Sequence, residues 1–161
     1  MNFLFVFVKF TENYTMVFLL RKISVIYSHR FFKEIFSKFI MLSQSEKGLN
    51  VIKTFITELK DEFAQSIIID LIKQDPLGYI EHAYSNYAFQ NIIKQWPLVV
   101  TQQLFSLIVH HIQRLSLMQS SSNVIEVMLH YSPIEYKSIY ISEITASPDI
   151  SSTHLTRYAR Q

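Results

Sequence analysis

Two short stretches hold the residues best suited to chemistry. "YSNYAFQ" (84–90) contains Asn86, Tyr87 and Gln90, and "SSNVIE" (121–126) contains Ser122, Asn123 and Glu126 at the same relative positions. Asn86 and Gln90 stand four apart, as do Ser122 and Glu126, so on a helix each pair shares one face, one turn apart. Asn and Gln each offer one acceptor and two donors, and an ionised Glu only accepts. Groups of this kind hydrogen-bond to the edge of a flat polar partner. The ring of Tyr87, at the shoulder of the first pair, can lie flat against that partner's face.

Bond-making chemistry finds little support elsewhere in the chain. There is no cysteine, which excludes disulfides and thiolate metal sites. Among the six histidines, His110 and His111 are adjacent and point to different sides of a helix. No H-E-x-x-H, glycine-rich phosphate loop or G-x-S-x-G occurs. Asp61 and Glu62 sit where a helix begins, and negative charge there favours the helix dipole. An enzyme is therefore not expected, nor a metal, a cofactor or a small-molecule substrate.

The 161 residues leave room for one domain or a short repeat array, and 49% hydrophobic with 14% aromatic content is enough for a sizeable core. Only 17% of the residues are charged, the formal net charge is +2 and the isoelectric point is about 8.8. This balance permits a nucleic-acid partner without demanding one. Two glycines and four prolines argue against an all-β fold rich in tight turns. The apolar runs at 2–8 and 16–20 fall well short of the about 20 residues that span a bilayer. No positive charge precedes the first run, so a buried terminal segment is expected rather than a targeting signal or a membrane helix. "NYT" at 13–15 matches a glycosylation sequon, but nothing else points to secretion.

The elements that must position these residues read as helices. Apolar positions follow the 3.6 period over 28–44, and helices continue over 50–59 after a break at Gly48, over 61–74, and over 86–96. The stretch 98–118 is a longer pattern that admits a break, 123–131 is a short helix, and 135–152 is expected to supply a further first helix and a disrupted remainder. Prolines at 76, 97 and 133 supply stop signals. The isoleucine-rich "SIIID" has the composition of a strand, but its flanks and the surrounding period favour helix.

A longer helix, a polar joint and a shorter helix recur. The shorter helices align on Asn13, Leu49, Asn86 and Ser122, a period of 36 or 37 residues. Seven positions after each start stand Leu20, Ile56, Ile93 and Leu129, and the positions two and three after are apolar in nearly every unit. Four units in one register indicate an all-α fold, an α-solenoid of helical repeats with about 36 residues each. The expected units are a degenerate one over 1–25, then 26–60, 61–97 and 98–134, and an incomplete one over 135–161.

"YSNYAFQNII", "SSNVIEVML" and, more weakly, "KGLNVIKTFI" (47–56) resemble the Pumilio (PUF) repeat, which reads RNA. The resemblance implies a right-handed solenoid, Pumilio- or armadillo-like, in which each unit reads one base with three side chains of its second helix. Two of these bond the base edge and the third stacks. It assigns uracil to Asn86/Tyr87/Gln90 and guanine to Ser122/Asn123/Glu126. With RNA running antiparallel to the units, the readout is 5′-GU-3′ within a UGU-type element. In the unit before these, Leu49, Asn50 and Lys53 match no base code: Asn50 takes the stacking position, and Lys53, a donor only, is expected to meet a phosphate. Asn13, Tyr14 and Val17 keep two positions of three. The implied partners are single-stranded RNA in mRNA untranslated regions and protein effectors on the convex face. The implied role is post-transcriptional regulation in the cytoplasm, with a nucleolar relative a weaker match.

Blander readings compete for the same residues. Asn123-x-x-Glu126 also fits a capping box, Tyr87 a tyrosine at the edge of the core, and Lys94 a solvated charge. The alternative for the whole chain is an α-solenoid protein-interaction scaffold that binds no RNA.

Overall fold

Side-chain caps and prolines divide the chain into short helices. The computed structural model describes residues 25–145, with side chains from residue 33. The expectations for the apolar N-terminal runs, the sequon, Asn13/Tyr14/Val17 and the segment after 145 lie outside these residues. Helix α1 runs Val25–Ser43. Ser45 then caps α2, Glu46–Glu58, its Oγ accepting from the Gly48 amide at 3.1 Å. Asp61 caps α3, Glu62–Ile72, through the Ala64 amide at 2.7 Å. Asp75 caps α4, Pro76–Glu81, with proline in its first turn, where a missing N–H costs nothing.

Helix α5 is Ser85–Gln95, closed by Trp96 and Pro97. Helix α6, Leu98–Leu107, passes through a 3-10 turn at Val109–His111 into α7, Ile112–Ser116. Helix α8 spans Gln119–Tyr131 and α9 spans Ile134–Thr145, on either side of Pro133. The described residues contain helices and no strand, so the fold is all-α.

Two boundaries differ from the sequence expectations, and the break admitted within 98–118 is present. Gly48 does not break a helix: it lies in the first turn of α2, where a Cβ would come within 2.3 Å of the Leu42 carbonyl oxygen. Only glycine fits so close a backbone approach. Residues 98–118 form two helices, because the chain tightens into 3-10 geometry after Leu107. Helix α8 begins at Gln119 rather than Asn123, which has a consequence for the site.

The second helices pack in chain order, α5 lying against α2 and against α8. The first helices form another layer, α1 against α3, α3 against α6, and α9 against α7 and the 3-10 turn. Between the layers, the positions aligned in the sequence are inside. Val51/Ile52, Ala88/Phe89 and Val124/Ile125 are all buried, as are Ile56 and Ile93, while Leu129 is half-buried. At about 1.5–3 kcal/mol per buried large apolar side chain, each second helix is held by its neighbours rather than by its own propensity.

Polar bonds join residues 33 to 40 positions apart. Trp96 Nε1 donates to the Ile56 carbonyl at 3.0 Å, Ser120 Oγ to Glu81 O at 2.9 Å, and Tyr140 Oη to Phe105 O at 2.6 Å. Arg114 pairs with Glu81. One local bond repeats with the sequence period: Ser85 Oγ donates to Tyr79 O at 2.6 Å, and Ser121 Oγ to Leu115 O at 2.7 Å. Each hydroxyl reaches six residues back across the joint, fixing the angle at which the second helix leaves it.

Candidate functional site

Helices α5 and α8 border an open groove of about 570 Å³. From α5 come Gln90 and Lys94, and from α8 come Asn123, Glu126, Val127, Leu129, His130 and Tyr131. Gln90, Asn123 and Glu126, predicted from sequence, are thus brought to one surface. Asn123 and Glu126 are exposed, and their side chains make no hydrogen bond or ion pair among the described residues. Since α8 starts four residues before Asn123, neither residue caps a helix. The capping-box reading fails, and two polar groups remain uncommitted.

The α5 residues divide. Asn86 is the second residue of the helix and only 2% exposed. Its Nδ2 donates to His82 O at 2.7 Å and to Ala83 O at 3.1 Å, and its Oδ1 accepts from Gln90 Nε2 at 3.2 Å. Both amide hydrogens of Asn86 are therefore engaged with the chain that leads into α5. Gln90 is 8% exposed yet borders the groove, and its Oε1 and second Nε2 hydrogen have no partner among the described residues. Tyr87 is 45% exposed. The Lys53 ammonium sits 5.3 Å from its ring centroid, within the range of a cation–π contact.

The remaining predicted residues fall elsewhere. Ser122 is half-buried and donates to its own helix at Gln119 O, 3.3 Å, outside the groove lining. Leu49 is 6% exposed and belongs to the core. Asn50 is exposed and Lys53 half-buried on α2.

Sequence reasoning missed Lys94, His130 and Tyr131 as parts of the groove. Continuing the spacing of four from Gln90 to Lys94 and from Glu126 to His130 would have found two of them. The His130 and Tyr131 rings meet edge-on, centroids 4.8 Å apart. The groove thus carries one ammonium, one carboxylate, two amides and an imidazole, a set suited to hydrogen-bonding a polar ligand. No group of His, Asp and Glu among the described residues is placed to hold a metal ion. No helix among them is long and apolar enough to cross a membrane. No protein-family model matches the chain, and no curated protein matches it.

Proposed function

We propose that the chain is a partial right-handed α-solenoid of the Pumilio type, and that the wall made by α2, α5 and α8 binds single-stranded RNA. The observation that carries this reading is the shared groove. Gln90 from one second helix and Asn123 and Glu126 from the next line it, with polar atoms left uncommitted. A carboxylate accepts without donating, which suits the N1–H and N2–H donors of guanine at Glu126. The amide of Gln90 suits uracil, and the exposed Tyr87 ring offers a stacking face. The readout is 5′-GU-3′, from mRNA untranslated regions, in cytoplasmic post-transcriptional regulation with protein effectors on the outer layer.

Fluorescence anisotropy with short RNAs containing UGUA or ACAU tests it. UGUA is expected to bind about tenfold tighter or more, from one well-made base contact. Exchanging Ser122→Asn with Glu126→Gln is expected to move the preference at that site from guanine toward uracil. Equal affinity for both RNAs, unaltered by Gln90→Ala with Glu126→Ala, would refute the proposal.

A protein-interaction scaffold is the second reading, and two observations favour it. Asn86 is engaged internally, and Phe63, Val99 and Ile134, at the starts of successive outer helices, are strongly exposed apolar side chains.

A further inference from the structure

Lys53 stands on α2 at the position Gln90 holds on α5, and it does something a base-reading residue would not. Its ammonium lies 5.3 Å from the centroid of the Tyr87 ring. The companion position, Leu49, is in the core, so α2 offers no pair of edge groups to a base. A ring with a cation against one face stacks a base there only by displacing it, and Lys53 reaches Tyr87 from α2, the neighbour opposite α8. Tyr87 nevertheless remains 45% exposed.

Resting on the RNA reading above, we infer that Lys53 is a stop for stacking. It occupies the face of Tyr87 turned toward α2, so the stacked tract ends at the nucleotide read by α5. With RNA antiparallel to the units, the nucleotide 3′ of the uracil arrives at this capped face and gains little from it. Specificity in this chain is then bounded by a side chain that displaces a base rather than by one that reads it.

The test measures the affinity gain when 5′-UUUGU-3′ is extended to 5′-UUUGUA-3′, using the full chain. Because the gain is a ratio, the attraction of Lys53 for the phosphates common to both RNAs cancels. Lys53→Ala is expected to raise the gain about threefold, the size of an exposed cation–π contact. Lys53→Arg, whose guanidinium also stacks on aromatic rings, is expected to leave it at or below the native value. A third RNA, 5′-UUUGU with a 3′-phosphate, separates stacking from charge. If it binds as tightly as the extended RNA and Lys53→Ala removes that advantage, Lys53 is a phosphate ligand and the inference falls. A gain unchanged in Lys53→Ala also overturns it while leaving the RNA reading intact. Failure of the native chain to bind any of the three RNAs sinks both.

Discussion

Replacing Asn86 by alanine separates two roles that the sequence alone assigns to one residue. If Asn86 only reads a base, Asn86→Ala weakens RNA binding and leaves stability within about 0.5 kcal/mol. The structure argues for more. The substitution removes three hydrogen bonds: two from Nδ2 to the carbonyls of His82 and Ala83, and one from Gln90 Nε2 to Oδ1. Ala83 is exposed and His82 half-buried, so water takes over part of the carbonyl loss. Gln90, only 8% exposed, keeps an unpaired amide hydrogen in a poorly hydrated place. Counting about 1 kcal/mol for each net bond and discounting the solvated carbonyls gives a loss of about 2 kcal/mol. With a urea slope of about 2 kcal/mol/M, the unfolding midpoint falls by about 1 M. Trp96, the single tryptophan, is buried between α5 and α2 and reports the transition by fluorescence. Asn86→Asp is the companion variant, because a carboxylate accepts from Gln90 but cannot donate to either carbonyl. It is expected to be at least as destabilised. A midpoint unmoved in both variants would show that the side chain is not held as described, and would return Asn86 to the base-reading set.

Three further outcomes follow from the packing. Trp96→Phe leaves the Ile56 carbonyl, an end-of-helix acceptor, buried without its donor, and thermal melting by circular dichroism is expected to show a loss of about 2–3 kcal/mol. Ser85→Ala and Ser121→Ala remove equivalent bonds, each reaching six residues back, at the starts of α5 and α8, so each is expected to cost about 1 kcal/mol in urea unfolding, and a difference above about 1 kcal/mol would deny their equivalence. Burial raises the Tyr79 phenol well above its ordinary value of 10.0, and burial with the neighbouring Tyr136 does the same for Tyr140. The unfolded chain loses these protons near pH 10 while the fold retains them. Stability is therefore full below pH 10 and falls above it, by up to about 1.4 kcal/mol per pH unit for Tyr79. Urea midpoints at pH 8 and pH 11 read this, and Tyr79→Phe, which removes the buried hydroxyl beside Ser43, is expected to flatten the fall at little cost at pH 8.

The parts of the fold written in short-range chemistry were legible in the sequence. Prolines at 76, 97 and 133 mark real boundaries, the apolar period gives helices across the described residues, and the aligned positions after Leu49, Asn86 and Ser122 are buried, with Leu129 half-buried. What failed was local detail whose cause is a neighbour. Gly48 looks like a breaker until Ser45 is seen to cap a helix around it. The serines at 120–122 look like a joint, yet Ser120 and Ser121 bond across to Glu81 and Leu115 and so sit comfortably inside α8. Tyr87 and Lys53 lie in different helices, and only the packing of α2 on α5 joins them. Of the candidate site, the groove residues Gln90, Asn123 and Glu126 were legible from the spacing of four, whereas the withdrawal of Asn86 and Ser122 into their own backbones was not.

That withdrawal has a cause in where the second helices begin. The sequence register aligns Asn86 with Ser122, but α5 starts one residue before the first and α8 three residues before the second. Asn86 therefore meets the carbonyls of the non-helical joint at 82–83 and closes over them. Residues 119–122 have already completed a turn of α8 by the time Asn123 is reached, so nothing nearby competes for Asn123 or Glu126. A polar side chain satisfied by its own chain gives up a bond to bind a ligand, and an uncommitted one does not. The two halves of the groove should then discriminate unequally on the RNA reading. A mismatch opposite Glu126 is expected to cost the full value of a base contact, about 1–3 kcal/mol, and a mismatch opposite Gln90 distinctly less. A titration series with single substitutions at each base measures the two penalties, and a larger penalty on the α5 side would contradict the division of roles drawn from the helix starts.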